Sequence, residues 1–209
     1  MNWDLSALYQ DERALNDDLN EAKERAKSFE GVCKGKLKAL SVNEFLEAIR
    51  EYESINEMLG RIMTYAFLTF ATNADKGGFY AKYQHEYTNI AEHLLFFELE
   101  FNTLPKVKQE ELIEASPKYR YYLASLMLEK PHQLSQKEER ILLKKEMTSS
   151  SAFSRLFDEH FSRLTFRYDK KLLSEEEILS KLQDPSREVR QKAARIFTKG
   201  LKPHQPLLA

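Results

Sequence analysis

The residues whose types come nearest to hydrolytic chemistry lie between His85 and His93, where His85-Glu86 is followed by Asn89 and then His93. A zinc site built on one helix needs histidines at i and i+4, so that both imidazoles reach one ion. A glutamate beside the first then serves as general base. Here position i+4 is Asn89, a very poor zinc ligand. His93 lies two turns from His85, about 12 Å along a helix and too far to share a tetrahedral ion. The run reads as ordinary helix-surface or interhelical residues.

The remaining candidates fare no better. His132, His160 and His204 complete the histidines. His160 follows Asp158-Glu159 and could meet His132 across elements at a metal, yet nothing in the spacing supports the pair. Gly31-Val32-Cys33-Lys34-Gly35-Lys36 hints at a phosphate loop but is one residue short, and Leu37 stands where a hydroxyl is required. It reads better as the exit from a helix. No nucleophile elbow or dinucleotide fingerprint occurs. Cys33 as a nucleophile would need a histidine near it in space. Lys118-Tyr119-Arg120-Tyr121-Tyr122 interleaves basic and aromatic residues as single-strand binders do. At helical spacing the same residues give an apolar face edged by cations, and that reading is preferred. Asp17-Asp18 and Glu175-Glu176-Glu177 read as solvated faces or first-turn residues favoured by the helix dipole. The expectation is therefore no catalytic, cofactor-binding or metal-binding residue in this chain.

The elements that must position these groups are helices. No proline precedes Pro105, and glycine is sparse. Leu15, Leu19, Ala22, Ala26 and Phe29 step by four and three, which predicts a first helix ending near Gly31. Ser41 with Glu44 is a capping box opening a long helix through Phe45, Ile49, Tyr52, Ile55, Leu59, Ile62, Ala66 and Phe70. Its far end is apolar nearly all round and is expected to be buried on several sides. After a break at Asn73 to Gly78, a third long helix is predicted with Tyr83, Tyr87, Ile90, Leu94, Phe97 and Phe101 on one side, ending at Leu104-Pro105. Three such helices pack as an up-and-down bundle.

Shorter elements follow. Ser116-Pro117 starts a helix that stops before Pro131, and Ser135–Glu138 and Ser174–Glu177 are further capping boxes. Between those boxes, Leu164 to Tyr168 alternates like a strand and Asp169-Lys170-Lys171 turns it into a return through Leu172-Leu173. Asp184-Pro185 reads as an N-cap with proline at the first helical position, and Gly200 as a stop. The expected fold is mainly α, with long antiparallel helices in a bundle, then shorter helices and one small β-hairpin near 163–173. Residues 1–104 would form the bundle and 105–209 the rest, the two packed as one lobe.

Composition narrows the function. The chain has 209 residues, 42% of them hydrophobic and 31% charged, and a formal net charge of −1. That describes a globular protein with a well-solvated surface, and it argues against a dedicated binder of nucleic acid or anionic membrane. One cysteine cannot make an internal disulfide or a thiolate metal cage, which favours a reducing compartment, the cytoplasm. No signal peptide is visible, and the apolar run from Ile62 to Ala71 is far short of the roughly 20 residues of a membrane span.

The run "HQLSQKEERILLKK…AFSRLFDEHFSRLTFRYDKKLLSEEEILSKLQDPSREVRQKAARIF" from His132 to Phe197 resembles the M3 family of zinc metallopeptidases, in its oligoendopeptidase F branch. There an "LS…EE.IL" helix, an "A…L.DE" helix, an "L.F" hairpin, an "LS.EEIL" helix and a "D…R..A" helix follow one another. "WDLSALY" at Trp3–Tyr9 and "YA.L…TNAD" at Tyr65–Asp75 look like the same branch. The resemblance implies a zinc enzyme that hydrolyses short peptides, with the metal held by a His-Glu-x-x-His motif and a downstream glutamate. None of those positions occurs in this sequence, so it looks like the N-terminal, non-catalytic portion of such a peptidase. Zinc, the catalytic lobe as partner and short peptides as substrates all belong by implication to the longer parent. A free-standing helical scaffold without enzymatic activity is the alternative.

Overall fold

Leu15, Leu19, Ala22, Ala26 and Phe29 are all buried on one seam of α1 (Glu12–Cys33), and Asp11 caps the helix by accepting from the Ala14 amide. The computed structural model describes residues 3–208. The chain divides into two compact units, Met1–Ser149 and Ser150–Ala209.

In the first unit α1 packs against α2 (Val42–Thr72) and α3 (Gly77–Leu94). Side-chain pairs give the directions. Asp18 meets Arg61 and Arg25 meets Glu51, so α1 and α2 run antiparallel. Asn16 meets Tyr83 and Glu30 meets His93, so α1 and α3 run parallel. This is the expected up-down-up bundle. A fully buried Leu or Phe contributes about 1.5–3 kcal/mol. A partly exposed ion pair such as Arg25–Glu51 contributes about 0.2–1 kcal/mol. The apolar seam holds the bundle, and the charges border it.

Both halves of the Ser41–Glu44 capping box form. Several other expectations need correction. The first helix runs through Gly31 to Cys33, and the left-handed turn that follows falls at Gly35 (φ 77°). The far end of α2 is not buried all round: Ile62, Ala66 and Phe70 are, but Phe67 is 47% exposed. The third long helix is interrupted at Leu95 and continues as α4 (Phe96–Thr103). Leu95 keeps helical dihedrals and its N–H still reaches the Ala91 carbonyl, so the break is slight. A helix missing from the expectation, α5 (Lys106–Ala115), begins straight after Pro105, followed by α6 (Arg120–Glu129) and α7 (Gln136–Glu146). The change from long to short helices at 104–105 lies within the first unit, where α5 contacts α2 and α6 contacts α4.

The second unit contains α8 (Ser150–Ser162), the antiparallel hairpin of β1 (Phe166–Tyr168) and β2 (Lys171–Leu173), α9 (Glu175–Ser180), α10 (Arg187–Leu201) and a last turn, α11 (Gln205–Leu208). Tyr168 pairs with Lys171, so the turn is Asp169-Lys170 alone, with Asp169 at φ 56°. Phe161, Leu164, Phe166, Ile178 and Ala193 form its core. The mainly helical fold with one small hairpin is as expected.

Two punctuation signals act differently here. Asp184 does not cap α10: its carboxylate accepts from the Ser186 amide two residues on, and the helix starts at Arg187. Gly200 does not end α10 either, since the helix continues to Leu201. Its role is space. A Cβ at Gly200 would lie 2.6 Å from a ring carbon of Phe166, so the hairpin packs onto the helix through the missing side chain.

Two glycines should therefore respond with opposite signs. Gly200→Ala is expected to destabilise the second unit by about 1–3 kcal/mol through overpacking, with part of the loss recovered by adding Phe166→Leu. Gly60→Ala, inside α2 with nothing within 4 Å of the new methyl, is expected to stabilise by about 0.5–1 kcal/mol. Urea unfolding of the single and double variants measures both. Equal effects of the two substitutions would remove the steric reading of Gly200.

Candidate functional site

A cavity of about 620 Å³ opens in the first unit where α2, α4 and α6 meet. Tyr52 from α2, Glu98 from α4 and Tyr122 from α6 share its wall. Tyr52 Oη donates to Glu98 Oε1 at 3.0 Å and Tyr122 Oη donates to the same oxygen at 2.7 Å. Burial, reinforced by the Glu98 charge, pushes the Tyr52 phenol well above its ordinary range; burial with Tyr52 and Glu98 does the same to Tyr122. Both phenols therefore remain hydrogen-bond donors. At the rim, Lys118 Nζ lies 2.6 Å from Glu53 Oε2 and Tyr119 Oη donates to that oxygen at 2.7 Å. The arrangement can hold a polar or charged group by hydrogen bonds and ring faces, and offers no nucleophile–base pair.

The residues singled out in the sequence are scattered. His85 is exposed, while His93 Nδ1 lies 2.6 Å from Glu30 Oε2 on α1 and Glu86 faces Lys23 at 3.9 Å. Burial opposes ionisation of Glu30, but the contacts of His93 and Lys34 outweigh it and hold the carboxyl below its usual range. The run thus supplies interhelical residues. His132 is exposed in a 3₁₀ turn. His160 Nε2 lies 3.0 Å from His204 Nδ1 within the second unit, a partner that residues 44 apart in sequence gave no means of choosing. Among the described residues no group of three or more His, Cys, Asp or Glu side chains is arranged to hold a metal. Cys33 is buried, and that burial raises its thiol pKa, opposite to an activated nucleophile.

The would-be phosphate loop does bind an anion, and the anion is internal. The amides of Gly35 and Leu37 donate to the two oxygens of Glu100 at 2.8 and 2.9 Å. In the Lys118–Tyr122 run, Tyr119 is buried and bonded to Glu53 while Tyr121 is 88% exposed, so part of it packs as core and part stands in solvent. Asp18 accepts from Tyr9 and Arg61, tying the N-terminal segment to α2. Glu177 completes its capping box. Sequence reasoning missed the cavity, taking Tyr52 as one more stripe residue and passing over Glu98. A lone carboxylate in Phe96-Phe97-Glu98-Leu99 was the available signal.

Comparison with known proteins now gives the class. The family model described as Oligopeptidase F, an N-terminal model of M3 peptidases, matches residues 100–166. The curated protein Oligopeptidase PepF of Bacillus subtilis (strain 168) is 26% identical over 205 residues, covering 91% of this chain and 30% of that protein. The crystal structure of oligoendopeptidase-F from Enterococcus faecium superposes with a TM-score of 0.77 at 22% identity, covering 92% of this chain and 40% of that one. A solved structure from Chlamydophila abortus superposes at 0.52 and 20% identity, covering 97% and 36%. The chain is similar to oligopeptidase F proteins along nearly its whole length, and it spans well under half the length of these relatives. The resemblance read from the sequence is borne out.

Removing Glu100 should expose its structural role. Glu100→Ala leaves two loop amides without their acceptor and is expected to cost about 1–3 kcal/mol, measured by urea unfolding. A loss no larger than that of a neighbouring exposed variant, Lys106→Ala, would contradict it.

Alkali should act through the phenols. Because folding raises the Tyr52 and Tyr122 pKa values above the ordinary phenol value of about 10, their stabilisation is complete below about pH 10. It is lost as pH rises beyond it. The denaturation midpoint should fall above pH 10, and less steeply in a Tyr52→Phe/Tyr122→Phe variant.

Proposed function

We propose that this chain is the N-terminal, non-catalytic part of a cytoplasmic zinc-dependent oligopeptidase, forming part of the wall of a channel that admits short peptides. The observation that carries the reading is the fold likeness to oligoendopeptidase-F across 92% of this chain but only 40% of that protein. Catalysis then belongs to polypeptide outside these 209 residues.

A zinc site does not fit the side chains present. His93 is engaged by Glu30 and His160 by His204, and no three ligating groups converge among the described residues. What this segment contributes is surface and shape.

The exterior of α8 supports a larger assembly. Phe153, Leu156 and Phe157 are exposed at helical spacing on one face, and Phe157 stacks on the buried Phe161 with centroids 4.2 Å apart. A surface stripe of this kind suits coverage by further polypeptide, namely the catalytic lobe. A single cysteine fits a reducing cytoplasm, and among the described residues no helix is long and apolar enough to cross a membrane.

Two measurements test the reading. The isolated chain should show no chelator-sensitive cleavage of a quenched fluorescent peptide. Grafted in place of the matching segment of the Enterococcus faecium enzyme, it should support chelator-sensitive cleavage of short peptides. A folded but inactive chimera, or metal-dependent turnover by the chain alone, would overturn the proposal. Inertness of both would favour the scaffold alternative.

A further inference from the structure

The cavity between α2, α4 and α6 carries unbalanced charge. Glu53, Glu57 and Glu98 line it together with a single cation, Lys118. Lys118 is already engaged by Glu53, at 2.6 Å. Among the described residues no ion pair reaches Glu57 or Glu98. Two carboxylates are thus left without a counter-charge around one concave space.

Glu98 is the more demanding of the two. It is only partly exposed and takes both phenol hydrogen bonds on Oε1. Its other oxygen, Oε2, has no donor among the described residues. A half-buried carboxylate without a counter-charge attracts a cation within reach. The rest of the wall is aromatic: Tyr122 beside Glu98, and Tyr52, whose ring is backed by Phe97 at 4.6 Å. Ring faces next to a carboxylate attract organic cations.

The rim of the same cavity shows this chemistry complete. Lys118 Nζ sits 5.0 Å from the centre of the Tyr119 ring and is held by Glu53, to which Tyr119 also donates. Deeper in, Tyr122 and Tyr52 donate to Glu98 in the same manner, with both phenol bonds on one oxygen. A bare divalent ion is a poor candidate, since no three ligating side chains converge here. An anion meets the wrong charge. The space, about 620 Å³, suits a cationic group on an aliphatic arm.

We infer that this cavity is a binding site for an organic cation, a guanidinium or primary ammonium group presented by a peptide and seated between Glu98, Glu57 and the tyrosines. The site stands on the geometry of the first unit. Its supply by a peptide rests on the oligopeptidase reading.

The test uses the whole 209-residue chain and calorimetric titration with three probes. Nα-acetyl-arginine amide offers only a side-chain guanidinium, glycylglycine amide only an N-terminal ammonium, and Nα-acetyl-norleucine amide neither. At least one cationic probe should bind about tenfold tighter than the neutral one, and more weakly as salt is raised. Which cationic probe wins assigns the source as side chain or terminus. Glu98→Gln should weaken that binding about tenfold and Glu57→Gln several-fold. Glu57 is exposed, so its variant stays folded and decides the matter even where Glu98→Gln unfolds. No preference for charge, or binding indifferent to Glu57→Gln, overturns the inference. Because no probe is cleaved, this failure is distinguishable from failure of the peptidase reading, which the chimera's turnover decides.

Discussion

Aromatic packing where α1, α2 and α4 converge is the constraint on which the first unit depends. Phe29 lies 5.5 Å from Phe96 and 5.7 Å from Phe97, Phe45 stacks on Phe97, and Tyr52 stacks on the same ring. Such pairs add about 0.5–1.5 kcal/mol beyond the area they bury. They also fix rotation: with Phe97 facing inward, Glu98 is carried to the edge of the cluster, where the Tyr52 and Tyr122 hydroxyls reach it. The cavity is a by-product of how those rings fill space.

The local features of the sequence were readable because their physics is local. Ser41–Glu44, Ser135–Glu138 and Ser174–Glu177 each close within three residues, and all three boxes form. The α1 seam follows from helical periodicity alone, and the hairpin from alternation. What failed needed a third dimension. Gly200 reads as a terminator because nothing near it in sequence announces Phe166. Asp184 spends its oxygen on Ser186, two residues on, a choice that a dipeptide pattern cannot display. Likewise α5 hides behind Pro105, its burial resting on Gln109 and Leu112 rather than on a long stripe.

The candidate site divides along the same line. Spacing alone argues against His85 and His93 as a zinc pair, and in the structure His93 meets Glu30 across the helices. The loop at Gly31–Lys36 has a phosphate loop's taste for anions, satisfied from within by Glu100. Tyr52, Glu98 and Tyr122 come from three helices with no shared motif, and only their meeting makes a site.

The Glu100 contact also bears on the order of assembly. Its two oxygens meet amides 65 and 63 positions earlier, across the whole of α2 and α3. A helical hairpin of α1 and α2 emerging first from a ribosome would therefore have a loose elbow. Its own bonds, Lys36 N–H to the Cys33 carbonyl and Ala39 N–H to the Lys36 carbonyl, shape the turn, and the return of α4 adds the Glu100 contacts. The bend between the first two helices is thus closed by a latch of high sequence separation laid over its own local turn.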